Sequence, residues 1–234
     1  MYKEPAGTKL ALIKSAGELF AEYGLEGTSI RAIADKAGAN SAAISYYFGS
    51  KENLYTETLR YVVNHDKPPR VREYLEGDER LESAEGIAEI IAEIVQRKFA
   101  AFYSHKQPRW HGRLIMRSLL DPSPSLIAIV EQFFLPDHID MKKLLKRARP
   151  DLTEQRAQLM AFSMMGQIAF YEFARAPVLY LLDRKEYEEG FLEAAARHTA
   201  LMMITALDLP VPASCAVATA YTPPKSTESN STGK

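Results

Sequence analysis

The sequence predicts an all-α protein, and three observations support that fold class. Apolar residues recur at steps of three and four along nearly the whole chain, which is the period of an amphipathic helix. No segment alternates apolar and polar residues as a half-exposed strand does. Helix-capping residues and glycines alternate along the first quarter of the chain, at the spacing of short helices joined by tight turns.

The first predicted helix lies in the segment "TKLALIKSAGELFAEYG", whose apolar residues share one face. Leu12, Ala16 and Phe20 follow one another at steps of four, so they form a stripe that can be buried. Gly24 is a natural residue for the left-handed turn that ends a helix. We therefore expect this helix to pack its stripe against the helices that follow.

Two short helices come next, joined by a turn at Gly38. Thr28 or Ser29 can cap the earlier helix, because either side chain can accept a hydrogen bond from a free backbone N–H group. Asn40 can cap the later helix, which has the sequence "SAAISYYF" and ends at Gly49. A helix, a tight glycine turn and a second helix form the helix-turn-helix plan.

Ser50 is the expected cap of a fourth helix, "KENLYTETLRYVVNH". A capping box would require Glu or Gln three residues after the cap, and Asn53 stands there instead, which leaves the reciprocal bond open. Glu52 lies in the first turn, near the positive end of the helix dipole. Lys51 and the N–H groups at this helix start are candidates to hold a phosphate.

A break rich in proline and charge, near residues 66 to 82, separates this unit from a larger helical one. We expect three parts: a helix-turn-helix domain over 6–66, a helical bundle over 82–209, and a disordered Pro/Ser/Thr-rich tail over 210–234. The bundle is predicted to contain helices at about 84–105, 108–121, from 125 with an interruption at Pro136, 153–176 and 187–208.

Composition is that of an ordinary globular protein, with a formal net charge of −1 that gives no global positive field. The single cysteine, Cys215, excludes an intrachain disulfide and fits a reducing compartment. No apolar run is long enough to span a bilayer, and no signal-peptide pattern opens the chain. We therefore expect a cytoplasmic protein that is not bound to a membrane.

The later helix of the helix-turn-helix carries the predicted function. Ile44 and Phe48 fall on its buried side, which leaves small residues, hydroxyls and tyrosines outside. Small residues allow close approach to DNA, hydroxyls can meet phosphates or bases, and an alanine methyl can pack on thymine. The predicted contacts to double-stranded DNA are Thr28, Arg31, Asn40, Ser41, Ala42, Ser45, Tyr46, Tyr47 and Lys51.

Charge in this segment is modest. Between residues 28 and 51, three cations (Arg31, Lys36 and Lys51) stand against Asp35, a net charge of +2. Since each neutralised phosphate contributes to the salt dependence of binding, the sequence predicts a shallow one.

The segment "GTSIRAIADKAGANSAAISYYFGSKENLY" closely resembles the N-terminal domain of TetR-type transcriptional regulators, over about residues 8 to 60. The matching pattern is Thr before the second helix, "IA..AG" within it, and an aromatic-rich third helix that ends in "F.SK". Ser45 stands where that family usually has Tyr. "AAISYYFGSKE", and "LIMRSLLDPSPSL" over 114–126, also resemble the CecR-type subgroup.

The resemblance implies a ligand-responsive regulator, most often a repressor, that binds a palindromic operator as a homodimer and leaves it when a small-molecule effector binds. It also implies that the last two long helices form a four-helix interface. The residues support that interface in part, because Ala161, Gly166 and Ala169 would allow close helix approach. The alternative is that both helices pack only within one subunit.

Aromatic residues and methionines lie on the helices that enclose a ligand cavity in such regulators, although plain core packing explains the same pattern. They are Phe99, Phe102, Tyr103, Trp110, Met116, Phe133, Met164, Phe170 and Tyr171. Arg113 and Arg117, four residues apart, are either ion-pair partners of acidic residues or counter-charges for an anionic ligand. Gln167 is either a satisfied core group or a ligand partner. The predicted ligand-binding residues are Phe102, Trp110, Arg113, Arg117, Phe133, Met164, Gln167 and Tyr171.

No pattern predicts catalysis, a cofactor or a metal site. The five histidines, including His105, lack metal-ligand spacing, and the nucleophile and nucleotide motifs are absent from the sequence. Two other classes remain as alternatives: a helical small-molecule enzyme or carrier, and a helix-turn-helix protein that binds other proteins instead of DNA.

Overall fold

The computed structural model describes residues 4–66, 70–103, 107–120 and 123–216. These residues form helices joined by short loops, with no strand among them, so the predicted all-α class is confirmed. The N-terminal unit consists of α1 (Gly7–Tyr23), α2 (Ile30–Ala37), α3 (Ser41–Phe48) and α4 (Lys51–Asp66). The remaining elements are α5 (Arg72–Leu75), a 3₁₀ turn (Glu79–Glu82), α6 (Ala84–Phe102), α7 (Trp110–Leu120), α8 (Pro124–Ile129), a π-turn (Val130–Phe134), α9 (Leu135–Ala148), α10 (Glu154–Phe173), α11 (Arg175–Leu181), α12 (Phe191–Ala206) and α13 (Ala213–Ala216).

The predicted stops of α1, α2 and α3 at Gly24, Gly38 and Gly49 are confirmed. Ser29, of the two candidates, accepts the N–H of Ala32 and caps α2. Gly38 then takes the left-handed conformation, with φ of +63°, which a residue without a Cβ adopts at little cost. These local choices fix the turn between α2 and α3.

The bundle differs from its prediction at three places. The chain does not break at Pro136, because the π-turn leads directly into α9 and the proline lies in that helix's first turn, where its missing N–H costs little. A separate helix, α11, follows α10 after Ala174. Residues 210–216 are not a free tail, because Cys215 is buried against the bundle. The remainder of that predicted tail, and His105, lie outside the described residues.

Two hydrophobic cores organise the described chain, and they do not coincide with the two sequence segments. The bundle core joins α6, α9, α10 and α12. The other core, which we call the head core, joins α1–α4 with residues of α7, α8 and the π-turn, including Trp110, Leu114, Ile129 and Phe133. The N-terminal unit is therefore packed on the bundle through α7 and α8.

The contact between α1 and α7 is especially close. A Cβ placed on Gly17 of α1 would lie 2.2 Å from the Trp110 ring, so only glycine fits in the present packing. Two turns further along α7, the Arg117 guanidinium donates a hydrogen bond at 3.1 Å to the carbonyl oxygen of Glu22, near the end of α1. The close packing of Trp110 on Gly17 and the hydrogen bond from Arg117 to Glu22 thus join the two units.

The residues that follow the N-terminal unit are held to α9 by polar contacts. The Val71 N–H donates to Asp137 at 2.9 Å, and Lys98 of α6 donates to the same carboxylate at 2.6 Å. Arg72 reaches the buried carboxylate of Asp140 at 3.2 Å. The acceptors Asp137 and Asp140 come shortly after the π-turn. One stretch of chain therefore holds the residues that follow the N-terminal unit and also supplies the turn that contacts the head core.

Candidate DNA-binding face and effector region

Helix α3 is held from both ends. Asn40 accepts the N–H of Ala42 at 2.8 Å and caps its start. At its other end, the Asn53 amide donates to the carbonyl oxygen of Phe48 at 3.0 Å. Asn53 therefore does not complete a capping box on α4; it satisfies a free carbonyl at the end of α3 instead. Ile44 and Phe48 are buried below, as expected.

The outer side of α3 presents the predicted residues to solvent. Ser41, Ala42 and Ser45 are exposed. Tyr46 is 82% exposed, and its ring meets that of Tyr47 edge-on at 4.9 Å between centroids. An exposed pair of aromatic rings on an ordered short helix has no role in the core. The outer side of α3 is therefore available to bind a partner.

Some of the cationic side chains around α3 already form ion pairs with acidic residues. Arg31 is exposed and makes only a long contact of 3.8 Å to Asp35, so it is free to turn. Lys36 pairs with Glu18 of α1 at 2.9 Å, which holds α2 to α1. Sequence reasoning missed Lys9, whose amino group lies 5.6 Å from the centre of the Phe48 ring and adds a cation beside α3. Its place near α3 depends on how α1 crosses the later helices, which no local pattern reports.

The start of α4 is less open than the sequence suggests. Ser50 accepts the N–H of Asn53 at 3.1 Å. The pKa of the Glu52 carboxyl is held below its usual value by a hydrogen bond from its own backbone N–H and by one from Ser50. An ionised carboxylate therefore occupies the place where a phosphate would approach. Lys51, half-buried beside it, is the cation on this side.

Thr28 does not belong on the exposed face. Its side chain is 3% exposed, and its hydroxyl donates to the carbonyl oxygen of Gly24 at 2.7 Å. The hydroxyl thereby closes the turn between α1 and α2 and is unavailable to a phosphate. We correct the predicted set of contacts by removing Thr28.

Five of the eight predicted ligand-binding residues lie in two different cores. Trp110 and Phe133 belong to the head core, where Trp110 packs on α1 and Arg70 lies 5.4 Å from the centre of the Phe133 ring. Met164 is buried in the bundle core, and Phe102 and Tyr171 pack partly buried against it. The prediction that Trp110 and Phe133 line a ligand cavity is wrong in this structure, because both rings are buried in the packing between the two units.

The two arginines of α7 differ in their contacts. Arg117 caps α1, so neither of its predicted roles holds. Arg113 is exposed and makes no ion pair or hydrogen bond within the described residues. It belongs to a group of charges around Glu172 of α10, whose carboxyl pKa is raised chiefly by burial and is drawn down again by Arg175, Arg109 and Arg113.

Aromatic side chains surround the C-terminal end of α10. The Tyr103 hydroxyl donates to the carbonyl oxygen of Ile168 and accepts the N–H of Glu172, and burial raises its pKa. Tyr171 lies between Phe99 and the stacked pair of Tyr187 and Phe191. Its ring centre is 6.1 Å from Phe99, 6.2 Å from Tyr187 and 5.8 Å from Phe191. Gln167, one turn earlier, is half-buried and bonds to no described group.

An open concavity of about 460 Å³ lies beside α11, lined by Leu179, Tyr180, Asp183, Arg184 and Lys185. None of these residues is among those predicted to line a cavity. Its walls come from α11 and the loop that follows, a stretch whose helix the sequence did not predict.

The outward side of α10 is apolar. Leu159, Phe162, Phe170 and Phe173 are all largely exposed there. Gly166 lies at the centre of this side, and a Cβ placed on it would meet nothing within 4 Å. We call this surface the α10 face. A continuous apolar surface of this kind marks an interaction site more often than a free surface.

The other small residues face inward, contrary to part of the prediction. Ala161 is buried in the bundle core. The alanines of α12, among them Ala195, Ala196 and Ala200, are buried too, and α12 packs mainly on α6. Close approach through alanine is thus used within the subunit, while His198 and Met202 remain on the outer side of α12.

Within the described ranges, no cluster of three or more His, Cys, Asp or Glu side chains has the arrangement of a metal site. In the same residues, no helix is both long enough and apolar enough to cross a membrane.

The comparison with known families matches both parts of the chain. The model for TetR-family bacterial regulatory proteins matches residues 12–58, and the model for the C-terminal domain of the HTH-type transcriptional dual regulator CecR matches residues 87–207. The chain belongs to the TetR family. Its bundle is a CecR-type C-terminal domain, and the protein is a TetR-family transcriptional regulator.

Two curated relatives illustrate how far this similarity extends. The dual regulator CecR of Shigella flexneri is 29% identical over 187 residues, which are 77% of this chain and 82% of that protein. The repressor KstR2 of Mycolicibacterium smegmatis is 40% identical over 57 residues, only 24% of this chain and 28% of that protein. The first likeness covers both units of this TetR-family chain, and the second covers the DNA-binding unit alone.

Solved structures share the fold at low identity. The TetR family regulator PfmR from Thermus thermophilus aligns with a TM-score of 0.59 at 18% identity, over 85% of this chain and 97% of that one. AibR, solved in complex with isovaleryl coenzyme A and operator DNA, aligns with a TM-score of 0.61 at 14% identity, over 88% and 100%. Both likenesses support the two-unit TetR architecture.

Proposed function

We propose that this TetR-family regulator is a ligand-responsive repressor that binds a palindromic operator as a homodimer and is released by a small-molecule effector. The observation that carries the proposal is the outer side of α3, which is fixed by Asn40 and Asn53 and presents Ser41, Tyr46 and Tyr47. An ordered helix of this kind in a helix-turn-helix suits the major groove. Ser41, Ala42, Ser45, Tyr46 and Tyr47 are the proposed contacts on α3. Asn40, Arg31 and Lys51 are proposed beside them.

The α10 face supports the homodimer. Its exposed phenylalanines surround Gly166, which would let a second copy of the helix come close. A two-fold pairing through one surface on both subunits is the commonest symmetry of soluble oligomers. Two recognition helices related by such an axis would read half-sites about one helical turn of DNA apart, ~34 Å.

The position of α7 supports effector control. It packs on α1 through Trp110 and Arg117, and it also packs on α10. A ligand that displaces α7 would therefore change the position of the DNA-binding unit relative to the α10 face. Moving such an equilibrium from 1:99 to 99:1 requires a preference of about 5.5 kcal/mol for the released conformation.

The named relatives agree with this function and widen it in one respect. AibR was solved with both a ligand and operator DNA, and KstR2 is named a repressor. CecR is named a dual regulator, so activation at some promoters is a second candidate function. The two are separated by placing a bound site upstream of, or within, a reporter promoter and comparing expression with and without the protein.

The first test is selection of bound sequences from a random duplex library with the purified protein at near-physiological salt. A two-fold symmetric motif with half-sites about one turn apart is the expected result. Selection of an asymmetric motif would contradict the dimeric reader. Failure to enrich any sequence, together with stable capture of a protein partner, would favour the interaction-module alternative.

A further inference from the structure

The side of α7 that faces α10 carries a stripe distinct from the one that holds α1. Arg109, directly before α7, lies three residues before Gly112 and four before Arg113, so these positions share one side of the helix. A Cβ placed on Gly112 would lie 3.4 Å from the Cγ atom of Glu172, so the Glu172 side chain runs along α7 at this point. The seam between the two helices is therefore lined from the α7 side by arginines.

On α10, the residues that share the side of Glu172 are mostly apolar. Met165 lies two turns before Glu172 and is partly exposed, and Ala169 is half-buried between them. An apolar floor with a few polar groups at one end is the usual composition of a small-molecule site. We call the surface formed by these two stripes the α7–α10 seam.

The carboxylate of Glu172 is without a partner although it is half-buried. Within the described residues it receives no hydrogen bond and no ion pair, and the raised pKa reflects that burial. The titratable groups that act on it come from every neighbouring element: Tyr103 just after α6, Arg109 just before α7, Arg113 of α7, Arg175 of α11, and Tyr187 before α12.

Two of the three arginines are committed elsewhere and one is not. Arg109 pairs with Glu186 at 2.7 Å, and the guanidinium of Arg175 lies 4.8 Å from the centre of the Tyr187 ring. Arg113 has no such contact in the described chain. The three cations stand against two carboxylates, those of Glu172 and Glu186, so a net charge of +1 and one uncommitted guanidinium remain.

We infer that the α7–α10 seam binds amphipathic organic anions, with the anionic group on Arg113 and the apolar body on Met165 and Ala169. The inference rests on the proposed function, because it names the effector class for the same bundle. An anion at Arg113 favours the protonated form of Glu172, so binding takes up a proton. The ligand also pushes on α7, whose opposite side holds α1 through Trp110.

The test compares three probes that share an eight-carbon chain: octane-1-sulfonate, 1-octanol and octyltrimethylammonium. The sulfonate stays anionic at every pH used, so the probe itself does not titrate. Binding to the DNA-free full chain is measured by calorimetry below the micelle concentrations. The emission of Trp110, the only tryptophan of the chain, reports whether α7 changes its environment. Because DNA is absent, failure here is distinct from failure of operator binding in the library selection.

We expect the sulfonate to bind more tightly than either other probe and to change Trp110 emission. Arg113→Gln should weaken sulfonate binding by at least about fivefold, the scale of a partly exposed charge contact. Arg117→Gln is the matched control, since Arg117, one turn later on α7, is already committed to the carbonyl oxygen of Glu22 in α1, and its change should leave the affinity unchanged.

The pH dependence has a definite sign. Ionised Glu172 repels the anion, so sulfonate affinity should fall as pH rises through the pKa of Glu172, and Glu172→Gln should remove that fall. The inference is overturned if the cation binds best, if no sulfonate binding is detected at millimolar concentration, or if Arg113→Gln and Arg117→Gln have equal effects.

Discussion

Helices α3 and α10 of this regulator each expose more than one aromatic ring, and the surroundings of these rings differ. On α3, Tyr46 and Tyr47 stand among hydroxyl and small side chains, with Arg31 and Lys51 nearby. On the α10 face, phenylalanines stand among leucine and glycine, with no charge at its centre. Phe162 stacks on His138 of α9 at 4.7 Å between ring centres, yet the rings of both surfaces remain exposed.

The difference teaches that an exposed ring does not by itself identify its partner. A phenolic oxygen can replace its lost water with a hydrogen bond to phosphate or a base edge, so tyrosine tolerates a polar, charged partner. A phenylalanine ring gains only from the removal of water, so it favours a partner as apolar as itself. The α3 side therefore suits DNA, and the α10 face suits another copy of the chain.

The largest effect is expected from charging the α10 face. Phe162→Glu with Phe170→Glu places two carboxylates where the proposed dimer would bury rings. Hot-spot side chains contribute about 2 kcal/mol or more each, so the dimer dissociation constant should rise by at least about 100-fold. Sedimentation equilibrium over a concentration series measures it.

Ile127→Glu is the matched control for Phe170→Glu made alone. Ile127 of α8 is 52% exposed and Phe170 is 50% exposed, so each single substitution adds one charge to an equally open apolar position. Only the α10 variant should dissociate the dimer. Equal dissociation by both variants would mean that charge in general, and not the α10 face, controls association.

The DNA-binding unit was predictable nearly residue by residue, because its determinants are local. Asn40, Gly38 and Gly49 set the ends of α3 through bonds and backbone angles within a few residues. The misjudged group was Thr28, whose hydroxyl turns inward to Gly24. Ser29 and Thr28 are equally good caps in a sequence, and only the path of the preceding turn decides between them.

The bundle was predictable in helix content but not in the direction of its side chains. Trp110 and Phe133 were assigned to a ligand cavity, and both instead join the head core. Helical period shows which residues share a side of α7, yet it does not say which neighbour covers that side. The π-turn and α11 were missed for a related reason, since neither departs from an ordinary helical pattern.

The second largest effect concerns the joint between the two regions. Gly17→Ala places a methyl group against the Trp110 ring and should destabilise the folded chain by about 1–3 kcal/mol, the usual cost of overpacking. Chemical denaturation followed by far-UV circular dichroism measures it. Phe in place of Trp110 offers space, so Gly17→Ala combined with Trp110→Phe should cost less than the sum of the two single changes. Additive costs would show that the ring and Gly17 do not restrict one another.

Tyr46→Ala tests the α3 side directly. Removing this exposed ring should lower affinity for the selected operator about tenfold, as loss of a good base contact does, and leave dimerisation intact. Fluorescence anisotropy with labelled operator measures it. Tyr23→Ala, which removes an exposed tyrosine at the end of α1, is the control and should change little. Operator affinity that is the same for wild type and Tyr46→Ala would remove Tyr46 from the site.

Lys51→Ala should weaken operator and random duplex to the same extent, because a phosphate contact carries no sequence information. The slope of log affinity against log salt should become shallower by about one unit. Titrations at several salt concentrations on both duplexes measure this. A loss confined to one base pair of the operator would contradict the assignment of Lys51 to phosphate.

The smallest expected effect lies beside Lys51, at Glu52. Its ionised carboxylate occupies the start of α4, so Glu52→Gln should strengthen binding to any duplex by about two- to threefold, the scale of an exposed helix-end charge. Because the pKa of Glu52 is lowered, the carboxylate is fully ionised at neutral pH and the gain should persist across that range. Glu85→Gln is a close control, since Ser83 caps α6 as Ser50 caps α4 and Glu85 holds the equivalent position. Glu85 lies outside the DNA-binding unit, so its change should leave DNA affinity as it was. A gain from both variants would trace the effect to net charge, and the start of α4 would then have no special part in holding phosphate.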